Sequence, residues 1–265
     1  MLKHLLSAVV PVLLLYCGLS HACVLRMAAE TDFPPHLILK DQHWQGQSIE
    51  LLQLLAKEVN CELQFINSPW LRSLAQIKSG ELDLVSHLSY SEGRKTDFAF
   101  IGPHHIESVW LIGDPGKLPK VSNLKDLTHD VDLGRIAELN GAYYGEEFAL
   151  LKQNPFFARQ LVSISSIQDK LALLEAGRVN AILEDHSVLH YWQSHKFNNA
   201  NKYQPLVLVY QSPVYFGFSK TTLSKTMLVK LEKAWQRLYD RGDITKVVQR
   251  YQAKNAELLT PSAKL

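Results

Sequence analysis

The chain has 265 residues, 28 basic side chains against 26 acidic ones, 46% hydrophobic and 9% aromatic residues. That balance describes an ordinary folded protein and excludes disordered, fibrous and disulfide-dense classes. A formal net charge of +2 supplies no field for holding nucleic acid, and the basic stripe that DNA and RNA readers carry is missing. One long apolar run exists, at the very start, which excludes a polytopic membrane protein.

Residues 1–22 read as a secretory signal peptide with cleavage after Ala22, giving a periplasmic product. Lys3 is the sole charged side chain before Arg26, Leu5 to Leu19 form an apolar run interrupted by Pro11, and Ser20-His21-Ala22 place small residues at both cleavage positions. A membrane anchor is the alternative, but the run falls short of the ~20 residues a bilayer span needs. Lipidation at Cys23 is disfavoured by Ser20, where such sites usually carry Leu. Export removes Cys17 and leaves Cys23 and Cys61, an even pair in an oxidising compartment. Each opens a strand-like run, Cys23-Val-Leu-Arg-Met and Cys61-Glu-Leu-Gln-Phe. As neighbouring parallel strands these place both cysteines at one end, where they can bridge; two unrelated buried thiols are the alternative. Without a nearby histidine the pair makes a poor metal site.

Next in the chain, Ser48 to Val59 puts Ile49, Leu52, Leu55 and Val59 on one helical face before the strand at Cys61. Trp70 to Ser79 repeats the unit with Leu71, Leu74 and Ile77, stops at Gly80 and feeds a strand from Leu82 to Ser86. It recurs much later: Ser165 and Ser166 are candidate caps, a helix runs to Gly177, and a strand follows from Val179 to Leu183. Lys78-Ser-Gly-Glu-Leu-Asp-Leu-Val85 is similar to Glu175-Ala-Gly-Arg-Val-Asn-Ala-Ile182 in detail. Each glycine suits the left-handed end of a helix. Two similar α/β lobes, one early and one late, are expected. A helix from Ser224 to Asp240 and a short one from Thr245 to Tyr251 close the chain.

Common catalytic signatures are missing: no Gly-rich phosphate loop, nucleophile elbow or zinc-protease helix occurs. His186 and His190 share a helical spacing with Asp185 beside them. The expected reading is a helix start with Asp185 near its positive end, a metal site being the alternative. His104-His105 are expected in a loop, and Glu50 and Glu146-Glu147 on solvated faces. No catalytic residue, metal or cofactor is expected.

One segment differs, Ser86-His-Leu-Ser89-Tyr-Ser91-Glu-Gly-Arg94. Loops at the carboxyl ends of strands are where open α/β sheets bind ligands. Small hydroxyls, free backbone N–H groups and a guanidinium that can hold both oxygens at once make a carboxylate receptor. In the later lobe a strand ends in Glu184-Asp185, where a carboxylate can face an ammonium group across a cleft. Surface ion pairing is the alternative for Arg94 and Asp185 alike.

At this point the sequence resembles the bacterial extracellular solute-binding proteins of the amino-acid type, family 3, which include histidine- and lysine/arginine/ornithine-binding proteins. The resemblance spans the chain from Val24 to Tyr251. It is carried by Glu30-Thr-Asp-Phe-Pro-Pro35, Gly46, Ser79-Gly-Glu-Leu-Asp83, the hydroxyl loop with Phe98-Ala-Phe100, Asn140-Gly-Ala-Tyr143, Ala176 to Asp185, and Tyr215 to Lys220. It implies that Arg94 binds a ligand α-carboxylate with help from Ser89, and that Asp185 takes the α-amino group. Phe33 then stacks on the ligand side chain and Glu30 reads its far end. The family's Gly-Thr-Thr turn is Gly141-Ala142-Tyr143 here, which removes a hydroxyl and adds a phenol, so the usual amino-acid pose is in question. Its usual Gly-Phe-Asp-Ile-Asp is Gly46-Gln-Ser-Ile-Glu50. Pro69-Trp70-Leu-Arg72 looks like a subgroup with an aromatic in the cleft; Trp70 as a core residue is the alternative.

The resemblance implies an α/β, two-lobed periplasmic-binding-protein-like fold (type II) with a two-strand hinge. Lobe 1 takes residues 23–105 plus 213–265, and lobe 2 takes 106–212. It implies a monomer that captures a small amino-acid-like solute by hinge closure and delivers it to an inner-membrane ABC permease, with no enzyme activity. Two alternatives remain: a ligand-sensing partner of a membrane receptor, and a cyclohexadienyl or arogenate-type dehydratase on the same scaffold with Glu30 as general acid.

Overall fold

Alternation sets the first strand: Leu25, Met27 and Ala29 are buried while Val24 is exposed. In the computed structural model, which describes residues 23–30, 33–128 and 131–257, this strand starts an α/β sheet. The signal-peptide reading of residues 1–22 lies outside the described residues. The strands are β1 (Cys23–Ala29), β2 (Ile38–Lys40), β3 (His43–Gln45), β4 (Cys61–Asn67), β5 (Leu84–Ser89), β6 (Phe98–Gly113), β7 (Ile136–Leu139), β8 (Leu161–Ile164), β9 (Ala181–Asp185) and β10 (Gln204–Ser219). The helices are α1 (Gln47–Glu58), α2 (Trp70–Ser79), α3 (Gly145–Leu151), α4 (Pro155–Ala158), α5 (Ile167–Glu175), α6 (His186–His195), α7 (Lys225–Asp240) and α8 (Asp243–Glu257). None of the described helices is long and apolar enough to cross a membrane.

Eight strands form one sheet in the order β4-β1-β5-β10-β6-β9-β7-β8. Its middle is the pair β6 and β10, antiparallel from Gln204 against Gly113 to Ser219 against Phe98. At one end β10 also pairs with β5. At the other, β6 pairs with β9. These two strands therefore run out of one α/β lobe and into the other. Buried apolar clusters lie on both sides of the crossing, around Leu25, Leu52 and Trp235 in one lobe and around Leu133, Phe148 and Phe157 in the other.

The repeated unit seen in the sequence has the same backbone twice. Gly80 is left-handed at φ 85° and Gly177 at φ 63°, a region that costs glycine no Cβ clash. After the first, the N–H groups of Glu81 and Leu82 both return to the Gln76 carbonyl; after the second, those of Arg178 and Val179 return to Leu173. Asp83 N–H then reaches the Arg26 carbonyl, and Asn180 N–H the Arg135 carbonyl. The side chains complete the pattern, Asp83 Oδ2 accepting from Arg26 N–H and Asn180 Oδ1 from Arg135 N–H. Two residues are spent closing each helix, so the strands expected from Leu82 and Val179 begin at Leu84 and Ala181.

Caps follow the sequence closely. Ser166 accepts from Gln168 N–H at α5, and Ser224 from Met227 N–H at α7, whose buried stripe is Leu231, Ala234, Trp235 and Leu238. Strands β1 and β4 are parallel with Cys23 opposite Cys61, and the two form a disulfide with Cα atoms 4.4 Å apart. Because it closes a loop with a sequence separation of 38, Cys61→Ser is expected to cost about 2–4 kcal/mol. The loss is read as a lower urea midpoint than the oxidised parent; equal midpoints would contradict it. One expectation is corrected: His104 and His105 lie in the crossing strand β6 rather than a loop, and His104 is buried.

Candidate functional site

The carboxyl ends of the strands converge on a cleft of about 100 Å3 between the lobes, partly open to solvent. Glu30, Phe33, Trp70, Ser89, Arg94, Tyr143 and Asp185 all line it. Strand β5 ends at Ser89, and a single tight turn, Glu92–Arg94, brings the arginine back over that end. Arg94 Nη1 donates to the Ser89 carbonyl and Nη2 to the Gly141 carbonyl of the other lobe, both at 2.9 Å. Its guanidinium carbon lies 5.9 Å from the ring centres of Trp70 and of Tyr143. These bonds use two of the five N–H donors a guanidinium carries, and no described carboxylate pairs with it. Burial pulls the Arg94 pKa down.

The other side chains are tied to backbone. Glu30 Oε2 accepts from Trp70 N–H and Oε1 from Ile167 N–H, both at 2.9 Å. Those are the first residues of α2 and α5, so the carboxylate bridges two helix N-termini in different lobes, where the positive ends of both dipoles favour a negative charge. Asp185 is buried and caps α6: Oδ1 accepts from Ser187 N–H at 2.8 Å and from Ser187 Oγ, and Oδ2 from Ser108 N–H at 2.8 Å. Burial, with Glu107 nearby, pushes its pKa up to about 6. Ser89 Oγ donates to Glu107 Oε1. Phe33 packs edge-on against His87 at 4.8 Å, and Tyr143 against Tyr210 at 5.5 Å.

Two charged residues of the cleft, Glu107 and Lys170, escaped the sequence reading. Glu107 lines the cleft from β6; a strand assignment there would have put it on one face with His105 and Val109. Lys170 shares the buried face of α5 with Ile167 and Leu174, and a lysine at such a position was the available signal. Its Nζ lies 2.5 Å from Glu184 Oε2, close but not aligned as a hydrogen bond, and donates to the Leu183 carbonyl at 3.0 Å. In all, four carboxylates (Glu30, Glu107, Glu184 and Asp185) face two cations, Arg94 and Lys170.

A family model for bacterial extracellular solute-binding proteins, family 3, matches residues 25–254. The chain belongs to this family. The solute-binding protein is 23% identical over 233 residues to a probable histidine-binding protein of Neisseria gonorrhoeae, covering 87% of this chain and 84% of that one. It is similar in structure to an amino acid ABC transporter substrate-binding protein of Streptococcus pneumoniae solved with L-arginine. The TM-score is 0.70 at 21% identity, over 88% of this chain and 95% of the other. A histidine kinase sensor domain with similarity to periplasmic binding proteins superposes with TM-score 0.72 at 18% identity, over 86% and 95%. These structural likenesses show the two-lobed fold of the solute-binding protein, and the family is one of binding proteins rather than enzymes.

Proposed function

We propose that this solute-binding protein works in the periplasm as a monomer, after loss of residues 1–22, capturing a small α-amino acid in the cleft and handing it to an ABC permease. The observation that carries the proposal is Arg94, a largely desolvated guanidinium with donors to spare and no carboxylate partner among the described residues. A ligand carboxylate completes it, in the bidentate geometry arginine favours. The surplus of carboxylates then suits the ligand's ammonium group and a polar or cationic side chain. The gonococcal relative named for histidine and the pneumococcal protein holding L-arginine are consistent with such a cleft.

The lobes meet through Arg94 and Gly141, Glu30 and Ile167, and His36 and Ser187. A ligand that adds contacts to both sides favours this shut arrangement by its differential affinity for it. Division of the lobes near residues 105 and 213 fits the pairing: Ser89 opposes Val214 on one side and Asp185 opposes Val109 on the other. The alternative of a dehydratase needs a proton donor, and both oxygens of Glu30 act as acceptors. Whether a permease or a membrane sensor reads the shut form is decided by which one copurifies with the ligand-loaded protein.

Calorimetric titration with amino acids and their methyl esters tests the carboxylate role. Free acids are expected to bind and esters to lose at least about tenfold; equal affinities would contradict it. A pH series tests Asp185. Three of the roughly four lone-pair sites of a carboxylate are taken there, leaving room for one ammonium N–H. In the free protein Asp185 binds a proton below about pH 6, with Glu107 and His87 the groups acting on it. A ligand ammonium favours the ionised form, so proton and ligand compete. The dissociation constant is expected to rise by up to about tenfold per pH unit as the pH drops below that value. A flat profile there would contradict the assignment.

A further inference from the structure

His36, His87 and His105 come together from three segments: the turn before β2, the end of β5, and the crossing strand β6. Their ring centres are 4.5 to 5.0 Å apart, and each ring brings one nitrogen within 4.8 Å of the other two. One buried nitrogen of each ring has no hydrogen-bond partner: His36 Nδ1, His87 Nδ1 and His105 Nε2. Buried orphan polar atoms are uncommon in folded proteins, and three in one cluster require a cause.

The surrounding hydrogen bonds assign the protons. Ser187 Oγ gives its single proton to Asp185, so at 3.1 Å it accepts from His36 Nε2–H. His104 Nε2 lies 3.1 Å from the Ser86 carbonyl, which can only accept, so His104 is protonated there. Its Nδ1 is then an acceptor and takes the proton of His105 Nδ1–H at 2.7 Å. Glu107 Oε2 accepts from His87 Nε2–H at 3.3 Å. A neutral imidazole carries one proton. With all three rings neutral, the bare lone pairs fall on His36 Nδ1, His87 Nδ1 and His105 Nε2, the same three atoms left without partners.

We propose that His36, His87 and His105 form a binding site for a late first-row divalent metal ion, Zn2+ in the first place. Neutral imidazole suits such ions and not Mg2+ or Ca2+. Ligating histidines typically donate their second ring N–H to a carboxylate or other acceptor, which fixes the tautomer; here Glu107, Ser187 and His104 do so. Zn–N bonds of about 2.0–2.1 Å set ligand nitrogens of a tetrahedron roughly 3.3 Å apart, so nitrogens now within 4.8 Å of one another draw closer when an ion binds. His87 lines the cleft, so the ion borders the solute's space, and Ser187 on α6 ties the site to the opposite lobe. Aromatic packing accounts for flat rings in this place but not for an unpartnered buried nitrogen on each of the three rings. The site stands apart from the amino-acid reading, since the titration below uses metal alone.

The test is calorimetric titration of tag-free 23–265, refolded with EDTA and dialysed, using ZnCl2 and then MgCl2. One Zn2+ per chain at micromolar or tighter affinity is expected, with no response to Mg2+. Affinity is expected to fall at least a hundredfold in His87→Gln and in His105→Gln, and to persist in His186→Gln/His190→Gln, whose rings form a separate pair 5.8 Å apart. Co2+ added to the unmodified protein is expected to give the visible absorption of a low-coordinate nitrogen site, a readout that needs no variant. Absence of stoichiometric Zn2+ binding, a featureless Co2+ spectrum, or loss of binding in the His186/His190 variant would each overturn the proposal.

Discussion

Arg94→Ala is expected to abolish amino-acid binding while leaving a cooperatively folded protein. In the cleft this guanidinium reaches two carbonyls, Ser89 and Gly141, and lies 5.9 Å from the ring centres of Trp70 and Tyr143. The fold loses little beyond those contacts, since its strands and helices do not rest on them. A bound carboxylate, in contrast, loses a charged and bidentate partner. Truncating one member of a desolvated charge pair costs about 2–5 kcal/mol, which is roughly thirtyfold to several thousandfold in affinity. Calorimetry on the variant reads this directly, and a melting curve checks the fold. Arg94→Lys should recover only part, because an ammonium cannot match the planar fork. Unchanged affinity in Arg94→Ala would remove the carboxylate site from this cleft.

The largest expected effect on stability comes from Lys170→Met. The lysine and Glu184 are both almost fully buried, with side chains 4% exposed, and Lys170 reaches Glu184 and the Leu183 carbonyl. Removing one partner strands the other charge in a low-dielectric interior, which typically costs about 3–5 kcal/mol. Adding Glu184→Gln to Lys170→Met is expected to return much of that loss, because the pair's net worth is far smaller than the penalty of breaking it. Urea unfolding of the two single variants and the double variant completes the cycle. Additive losses would show that the two side chains are not coupled.

The sequence made local structure legible where one residue type fixes one backbone event. Ser166 caps α5, Gly80 ends α2, and the two cysteines mark the parallel pairing of β1 and β4. The strand starts were misjudged because hydrophobicity at Leu82 and Val179 says nothing of the returning hydrogen bonds that hold them outside the strands. The cleft was harder. Arg94 was visible as a charge after a run of hydroxyls. Its partner in the other lobe is the carbonyl of Gly141, a group every residue has and no sequence pattern announces. His104-His105 are expected in a loop and lie instead in β6, and that difference conceals the histidine cluster and Glu107 together. Lys170 needed a burial argument, since its partner Glu184 lies on a different element.

The most direct test of the account is a thermal-shift screen of residues 23–265, refolded from denaturant to strip carried-over ligand. The panel holds the common amino acids, polyamines, dicarboxylates and prephenate. The account predicts stabilisation by one or a few α-amino acids, about 2.7 kcal/mol at a hundred times the dissociation constant. It is contradicted if the protein melts cooperatively and no amino acid raises its melting temperature while another class does, or if prephenate is consumed.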